Sequence, residues 1–253
     1  MVAINLRDVS KIFYTERGQE ILAVTNITAN IQAAEFVCLL GPSGSGKSTI
    51  LRMLAGLETP TVGEIRVLGR PVAETVMETA MVLQDYSLLP WRNVLDNVAF
   101  GLELRKMPAK ERLQVAHDML WRVGLDAFAM AYPYELSGGM QQRTAIARAL
   151  AIEPKVLYMD EPFGALDAFT RRQMQRELLS LWLKDRKTVL FVTHSVEEAV
   201  YLATRIVVMG TRPGRIMADM PVKIPYPRRS SDTEFGRLVE ELTEMLMNLA
   251  KSA

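Results

Sequence analysis

Cysteine is nearly missing from this chain: Cys38 is the only one in 253 residues, so no disulfide can form within it. Set inside an apolar run, Cys38 reads as a small buried residue. Long apolar runs are missing as well. No stretch approaches the ~20 residues that cross a bilayer. The opening Met1-Val2-Ala3-Ile4-Asn5-Leu6-Arg7-Asp8 lacks the basic stretch and apolar core of a signal peptide. The expectation is a soluble, cytoplasmic chain; if it works at a membrane, another chain must hold it there. An excess of either charge is also missing, with 30 Lys and Arg against 29 Asp and Glu and a net +1. That balance argues against a nucleic-acid surface. Internal repeats and low-complexity linkers are not seen. Apolar residues are plentiful at 49%, enough for the core of one large domain or two small ones.

The most telling stretch present is Gly41-Pro42-Ser43-Gly44-Ser45-Gly46-Lys47-Ser48-Thr49. The apolar run Phe36-Val37-Cys38-Leu39-Leu40 precedes it, and Ile50, Leu51, Met53 and Leu54 follow at helical spacing. Strand, glycine-rich loop and helix start form the context in which a P-loop cradles phosphates. The glycines let the backbone aim several N–H groups at one anion. The helix adds its unpaired N–H groups and the positive end of its dipole. Lys47 can reach the β- and γ-phosphates, and the Ser48 hydroxyl can ligate Mg²⁺. A surface turn of small residues is the plain alternative, and the placement of the Lys-Ser pair weighs against it. A P-loop alone says only nucleoside triphosphate.

Ahead of that loop, Ile4, Leu6 and Val9, then Ile21, Ala23, Ile27 and Ile31, alternate with polar residues around Arg17-Gly18-Gln19. This predicts antiparallel strands. Phe13 and Tyr14 interrupt the alternation. Either one ring packs inward while the other is left to stack on a nucleobase, or both are ordinary strand aromatics. Short strands are predicted at 63–69 and 79–83. Gln84 ends the second, where ligands bind in open α/β sheets. The loop Asp85-Tyr86-Ser87-Leu88-Leu89-Pro90-Trp91 follows. Its Leu88, Leu89 and Trp91 read as a partner surface or as a loop folded over its own core. Residues 93–134 are a helical block, with Pro108 opening its second helix.

Three further stretches carry candidate chemistry. Ser137-Gly138-Gly139 opens a helix with a plausible N-cap and an unobstructed N-terminus, a second anion site far from the first. Val156-Leu157-Tyr158-Met159 leads to Asp160-Glu161; Asp160 can bind Mg²⁺ and Glu161 can orient an attacking water. Two acids capping an apolar strand are poor structural material, which favours function. Gly164-Ala165-Leu166-Asp167 then forms a turn before a helix. The buried-type strand Thr188-Val189-Leu190-Phe191-Val192-Thr193 ends at His194, placed to hydrogen-bond a γ-phosphate oxygen or to serve as a structural histidine. Ser195-Val196-Glu197-Glu198 reads as a capping box. A hairpin around Arg212-Pro213-Gly214 and an amphipathic helix through Leu238, Leu242, Met245, Leu246 and Leu249 close the chain.

In this order and spacing the motifs resemble the ATPase subunits of ABC transporters, over nearly the whole chain. Residues 41–49 match the Walker A loop, Gln84 the Q-loop, and 136–141 the signature motif. Residues 156–160 match Walker B, Glu161 the catalytic glutamate, Leu166-Asp167 the D-loop and His194 the switch histidine. Phe13 falls where the family places its adenine-stacking aromatic. The resemblance implies an α/β P-loop NTPase core with a mixed and parallel sheet, an N-terminal antiparallel β subdomain and an inserted α-helical subdomain. Its expected bounds are 1–92 and 154–218 for the β subdomain with the core, 93–153 for the helical subdomain, and 219–253 for a C-terminal strand and helix. ATP and Mg²⁺ are the expected ligands, with Ser48, Gln84 and Asp160 on the metal. Glu161, His194, Gln84 and Lys47 are expected to act in hydrolysis. Residues 41–49, Ser137, Gly138, Gly139, Gln141, Asp160 and Asp167 are expected to line the nucleotide.

The family pairs two copies head to tail, with ATP between Walker A of one and the signature motif of the other. The resemblance therefore implies a second copy as partner, a membrane permease docking near residues 84–91, and an extracytoplasmic solute-binding protein acting through it. The chain would sit on the cytoplasmic face of the membrane. Leu89-Pro90-Trp91-Arg92-Asn93-Val94, Thr193-His194-Ser195-Val196-Glu197-Glu198-Ala199 and Arg212-Pro213-Gly214-Arg215 are similar to importers of nitrate, sulfonates and taurine. The alternatives are an ABC ATPase acting on a soluble macromolecule and a nucleotide-gated scaffold. The first lacks the coiled coils, zinc motifs or tandem domains those relatives carry, and Glu161 argues against the second.

Overall fold

A computed structural model describes residues 1–164 and 166–251. Ala165, inside the turn expected before Asp167, lies outside the described residues, as do Ser252 and Ala253. The chain divides into two compact units, Met1–Met77 with Arg186–Ala253, and Glu78–Asp185.

The first unit opens with β1 (Val2–Tyr14) and β2 (Glu20–Gln32), an antiparallel hairpin whose turn is closed by the Gly18 N–H on Thr15 O at 2.9 Å. Ile4 and Leu6 pair with Ile31 and Ala29, so the alternating apolar residues share one buried face. The alternation does not hold to the tip. Register shifts on both sides of Lys11 turn the face over, and Ile21, read as inward, is 51% exposed. Neither ring of the aromatic pair packs inside: Tyr14 is 66% exposed and Phe13 half-buried. The buried β3 (Phe36–Leu40) runs into α1 (Lys47–Leu54), and β4 (Val62–Val67) and β5 (Arg70–Pro71) complete a sheet ordered β2-β1-β4-β5.

The second unit pairs β6 (Thr79–Val82) in parallel with a later strand and carries helices α2 (Val94–Leu104), α3 (Ala109–Arg122) and α4 (Gly138–Ala151). These helices bury Val98, Leu102, Leu120 and Ala147 in one cluster, which Leu125 just after α3 joins. Asn93 caps α2 by accepting the Asp96 N–H at 2.8 Å. Strand β7 (Val156–Asp160) pairs with β6, Met81 opposite Tyr158, and α5 (Ala168–Lys184) ends the unit.

The chain then returns to the first unit through β8 (Thr188–Thr193), α6 (Val196–Leu202), β9 (Arg205–Gly210), β10 (Arg215–Pro221) and α7 (Thr233–Lys251). Strand β3 lies between β8 and β9, parallel to both, with Cys38 opposite Phe191 and Ile206, and β10 adds antiparallel to β9. The sheet is therefore mixed. Five consecutive buried residues in β3 follow from neighbours on both faces. The seam lined by Leu6, Ile27, Leu39, Ile50 and Val207 leaves a cavity of only about 20 Å³, room for one water. Cys38 is buried in β3 as expected, and burial raises its thiol pKa well above the usual value.

Candidate functional site

The glycine-rich loop joins β3 to α1 in the first unit. Gly46 at φ 80° is the N-cap of α1 and brings no side-chain acceptor to the start of that helix, whose N-terminus is the end that attracts an anion. A Cβ on Gly46 would lie 2.2 Å from Val24 Cγ1, whereas one on Gly44, at φ 79°, would meet nothing within 4 Å. One glycine is thus demanded by close packing against β2, the other only by backbone conformation. Lys47 is 4% exposed and donates from Nζ to Gly41 O and Pro42 O at 2.9 Å and to Ser45 Oγ at 3.2 Å. Its ammonium is therefore held at the loop's own oxygens, the place where phosphate oxygens would compete for it. Pro42, Ser48 and Thr49 are half-buried around it, Gly41 and Ser45 are buried, and Ser43 is exposed. Phe13 carries the Lys11 ammonium 4.8 Å from its ring centre, a cation–π contact on β1.

His194 is exposed in the same unit, between β8 and α6. The capping box read at its edge is built with a relay. Ser195 Oγ accepts the Glu198 N–H at 3.3 Å, but the Ser195 N–H donates to Thr193 Oγ1 at 3.0 Å, and that hydroxyl donates to Glu198 Oε2 at 2.6 Å. Thr193 and Glu198 are both buried, and the Thr193 hydroxyl links the amide just after His194 to the Glu198 carboxylate of α6.

The second unit holds the other candidates. Asp160 is buried at the end of β7, and Glu161 follows half-buried with φ 44°. A non-glycine residue in the left-handed region is strained, a state found at functional sites. Gln84 is exposed two residues beyond β6. A Cβ built on Gly164 would lie 3.4 Å from Glu161 O and 3.8 Å from Gln84 Nε2, so Gln84 and Glu161 flank one glycine. Ser137 caps α4, accepting the Met140 N–H at 3.4 Å, and is exposed with Gly138. Gly139 is buried for another reason: its Cβ would lie 2.7 Å from Thr170 Cγ2 of α5. Gln141 Nε2 donates to Pro133 O at 2.9 Å, fastening the turn before the helix. Asp167 Oδ1 accepts the Phe169 and Thr170 N–H groups at 3.0 Å as N-cap of α5, and those bonds, Thr170's foremost, hold its carboxyl below the usual range. Ser48, Gln84 and Asp160 offer a hydroxyl, a carboxamide and a carboxylate, hard oxygen donors of the kind Mg²⁺ takes.

Two residues that sequence reasoning passed over brace the loop after Gln84. Tyr86 and Ser87 both have positive φ, 60° and 45°. Arg148 of α4 donates to Ser87 O at 2.6 Å and Tyr86 O at 2.8 Å, and burial pushes its guanidinium pKa down. Asn97, fully buried in α2, accepts the Leu89 N–H at 2.8 Å and donates to Leu89 O, Arg92 O and Asn93 O. The available signal was a lone Arg between buried alanines and a lone Asn on an apolar helix face, each of which needs a partner. Braced this way, Leu88 and Leu89 are half-buried rather than exposed, while Trp91 is 71% exposed.

Residues 24–164 match the family model described as ABC transporter. The chain belongs to the ABC transporter ATPase family. It is 49% identical to a nitrate import ATP-binding protein of Synechocystis sp., over 96% of this chain and 94% of that one. It is 44% identical to a taurine import ATP-binding protein of Rhizobium johnstonii, over 94% of this chain and 95% of that one. A dimeric ATP-binding cassette in a post-hydrolysis state with ADP and Pi superposes with a TM-score of 0.79 at 33% identity, covering 88% of this chain and 100% of that one. The cassette is therefore an ATP-binding P-loop ATPase. No helix among its described residues is long and apolar enough to cross a membrane.

Proposed function

We propose that this ABC ATPase powers an importer for a small oxyanion such as nitrate, a sulfonate or taurine. The observation that carries the reading is the 49% identity, nearly end to end, with a nitrate import ATP-binding protein. In this reading residues 41–49 hold the triphosphate and Lys47 turns from its own loop oxygens to the β- and γ-phosphates. Ser48, Gln84 and Asp160 hold Mg²⁺, which neutralises charge on the phosphate oxygens when bound. Glu161 orients the attacking water and His194 bonds the γ-phosphate. Phe13 stacks on the adenine. Ser137, Gly138, Gly139 and Gln141 of a second copy, paired head to tail, close the site with Asp167 at the dimer seam. Binding energy thereby closes the dimer, and loss of the γ-phosphate opens it. Residues 93–153 form the helical arm between the stretches 1–92 and 154–218, and 219–253 follow as the C-terminal strand and helix. A permease docks at the exposed Trp91 and the braced loop before it, on the cytoplasmic face of the membrane, and a solute-binding protein delivers the cargo outside.

The test is capture from native membranes with Glu161→Gln protein, ATP and Mg²⁺, after sizing chromatography. An ATP-dependent dimer with little turnover is expected, bringing with it a multi-helix permease and a binding protein whose ligand names the solute. A monomer, or normal hydrolysis, overturns the shared-site mechanism. A dimer that captures only soluble partners overturns transport and leaves an ATPase acting on a soluble macromolecule.

A further inference from the structure

Helix α6 begins two residues after His194 and is only seven residues long. A helix this short does not hold itself together in water, so its buried face on β3 and what fastens its ends decide where it lies. Its N-terminal end is fastened by the Thr193–Ser195–Glu198 network. Its C-terminal end leaves carbonyls that no helix amide can reach. The segment after β10 takes them. Arg228 is 4% exposed, and its Nη1 donates to Val200 O at 2.6 Å, Ala203 O at 2.7 Å and Tyr201 O at 3.5 Å. The remaining carbonyl of the run, Leu202 O, accepts the Tyr226 hydroxyl at 2.7 Å. The Arg228 guanidinium lies 4.1 Å from the Tyr226 ring centre, and its Nε donates to Ile224 O at 2.8 Å. The two side chains therefore brace each other while they hold the helix. A cation is also the favourable charge at this end of the helix dipole. Helix α7, which follows the strap, packs on α6 as well.

We propose that Arg228, seconded by Tyr226, is a positioning residue for His194: the C-terminal strap clamps α6, and α6 sets the histidine at its N-terminal edge. The proposal rests on the reading of His194 as the γ-phosphate partner. It gives the C-terminal segment a role in hydrolysis without contact with nucleotide. Arg228 acts through three backbone carbonyls at the end of α6 and Tyr226 through a fourth, and displacement of that helix moves His194 with it.

The test is a double-mutant cycle on the full chain, with steady-state ATP turnover and KM measured for the parent, Arg228→Met, His194→Ala and the pair. Arg228→Met is expected to lower kcat about tenfold with KM within about twofold, since small misplacement of a reacting group costs rate before binding. On the His194→Ala background the same change is expected to cost less than about twofold, because the group it positions is gone. An undiminished loss on that background, or normal turnover in Arg228→Met, overturns the proposal and leaves the His194 reading standing. Normal turnover in His194→Ala alone overturns that reading and the proposal with it. Tyr226→Phe, which loses one hydroxyl, carries the same cycle where Arg228→Met does not fold. In either variant, amide exchange is expected to quicken in residues 196–202 and not in α1. Unchanged exchange in α6, or equal acceleration in both helices, counts against a local clamp.

Discussion

Gly44 and Gly46 have nearly the same φ, 79° and 80°, and opposite surroundings. Alanine at either position strains the backbone by about 1–2 kcal/mol. At Gly46 its methyl also collides with Val24, raising the expected loss to about 3 kcal/mol or more and displacing the start of α1. Thermal melts and nucleotide titration check this: Gly46→Ala should lose both stability and ATP binding, while Gly44→Ala should stay folded. Equal losses would refute the steric account. At this scale candidates for the chemistry were legible where residue type and position along the chain suffice. Lys47, Asp160 and Glu161 are candidates of that kind, read from a glycine-rich loop or a strand end followed by a side chain of the right chemistry. Arg148 and Asn97 were not legible. Arg148 is named by carbonyls 61 and 62 residues away, and Asn97 by a loop whose fold back onto its own helix no local pattern announces.

Among the elements, the strap over α6 carries a pH dependence. Burial of Tyr226 pushes its phenol up to about 12, foremost by desolvation. Unfolded, a tyrosine ionises near pH 10. Below that both states hold the proton and the contribution to stability is complete. Between about pH 10 and 12 the unfolded chain releases its proton while the folded one keeps it, so stability falls as pH rises. The parent should lose denaturation midpoint across this window more steeply than Tyr226→Phe. Parallel curves for the two chains would show that the phenol does not titrate as its burial requires. Element types followed well from local pattern: β3, β8 and α4 lie where apolar runs and the Ser137 cap put them. Local pattern failed where a neighbour intervened. Ile21 turned outward because β1 slips in register around Lys11, and the Ser195–Glu198 box is routed through Thr193.

At the level of the whole molecule, the chain leaves its first compact unit after Met77 and returns at Arg186. The P-loop and His194 belong to one unit and Gln84, Asp160, Glu161 and Ser137 to the other. A head-to-tail dimer predicts a dissociation of functions. Ser137→Arg should bind ATP within about twofold of the parent, since a monomer's own P-loop is untouched, yet lose turnover by about a hundredfold or more, since a shared site must close to react. Isothermal titration and steady-state hydrolysis decide the matter, and full turnover in that variant would refute the shared site.

The sequence by itself determined the family, the phosphate-binding loop and the identities of the acid and histidine candidates. Each depends on a short run in which backbone conformation and side-chain chemistry are set together. Only the tertiary structure decided what holds those groups in place: Arg148 and Asn97 behind the loop after Gln84, Thr193 and Glu198 beside His194, and Arg228 at the far end of its helix. Buried polar groups must find partners wherever the fold brings them, and the distance between partners along the chain carries no local signal.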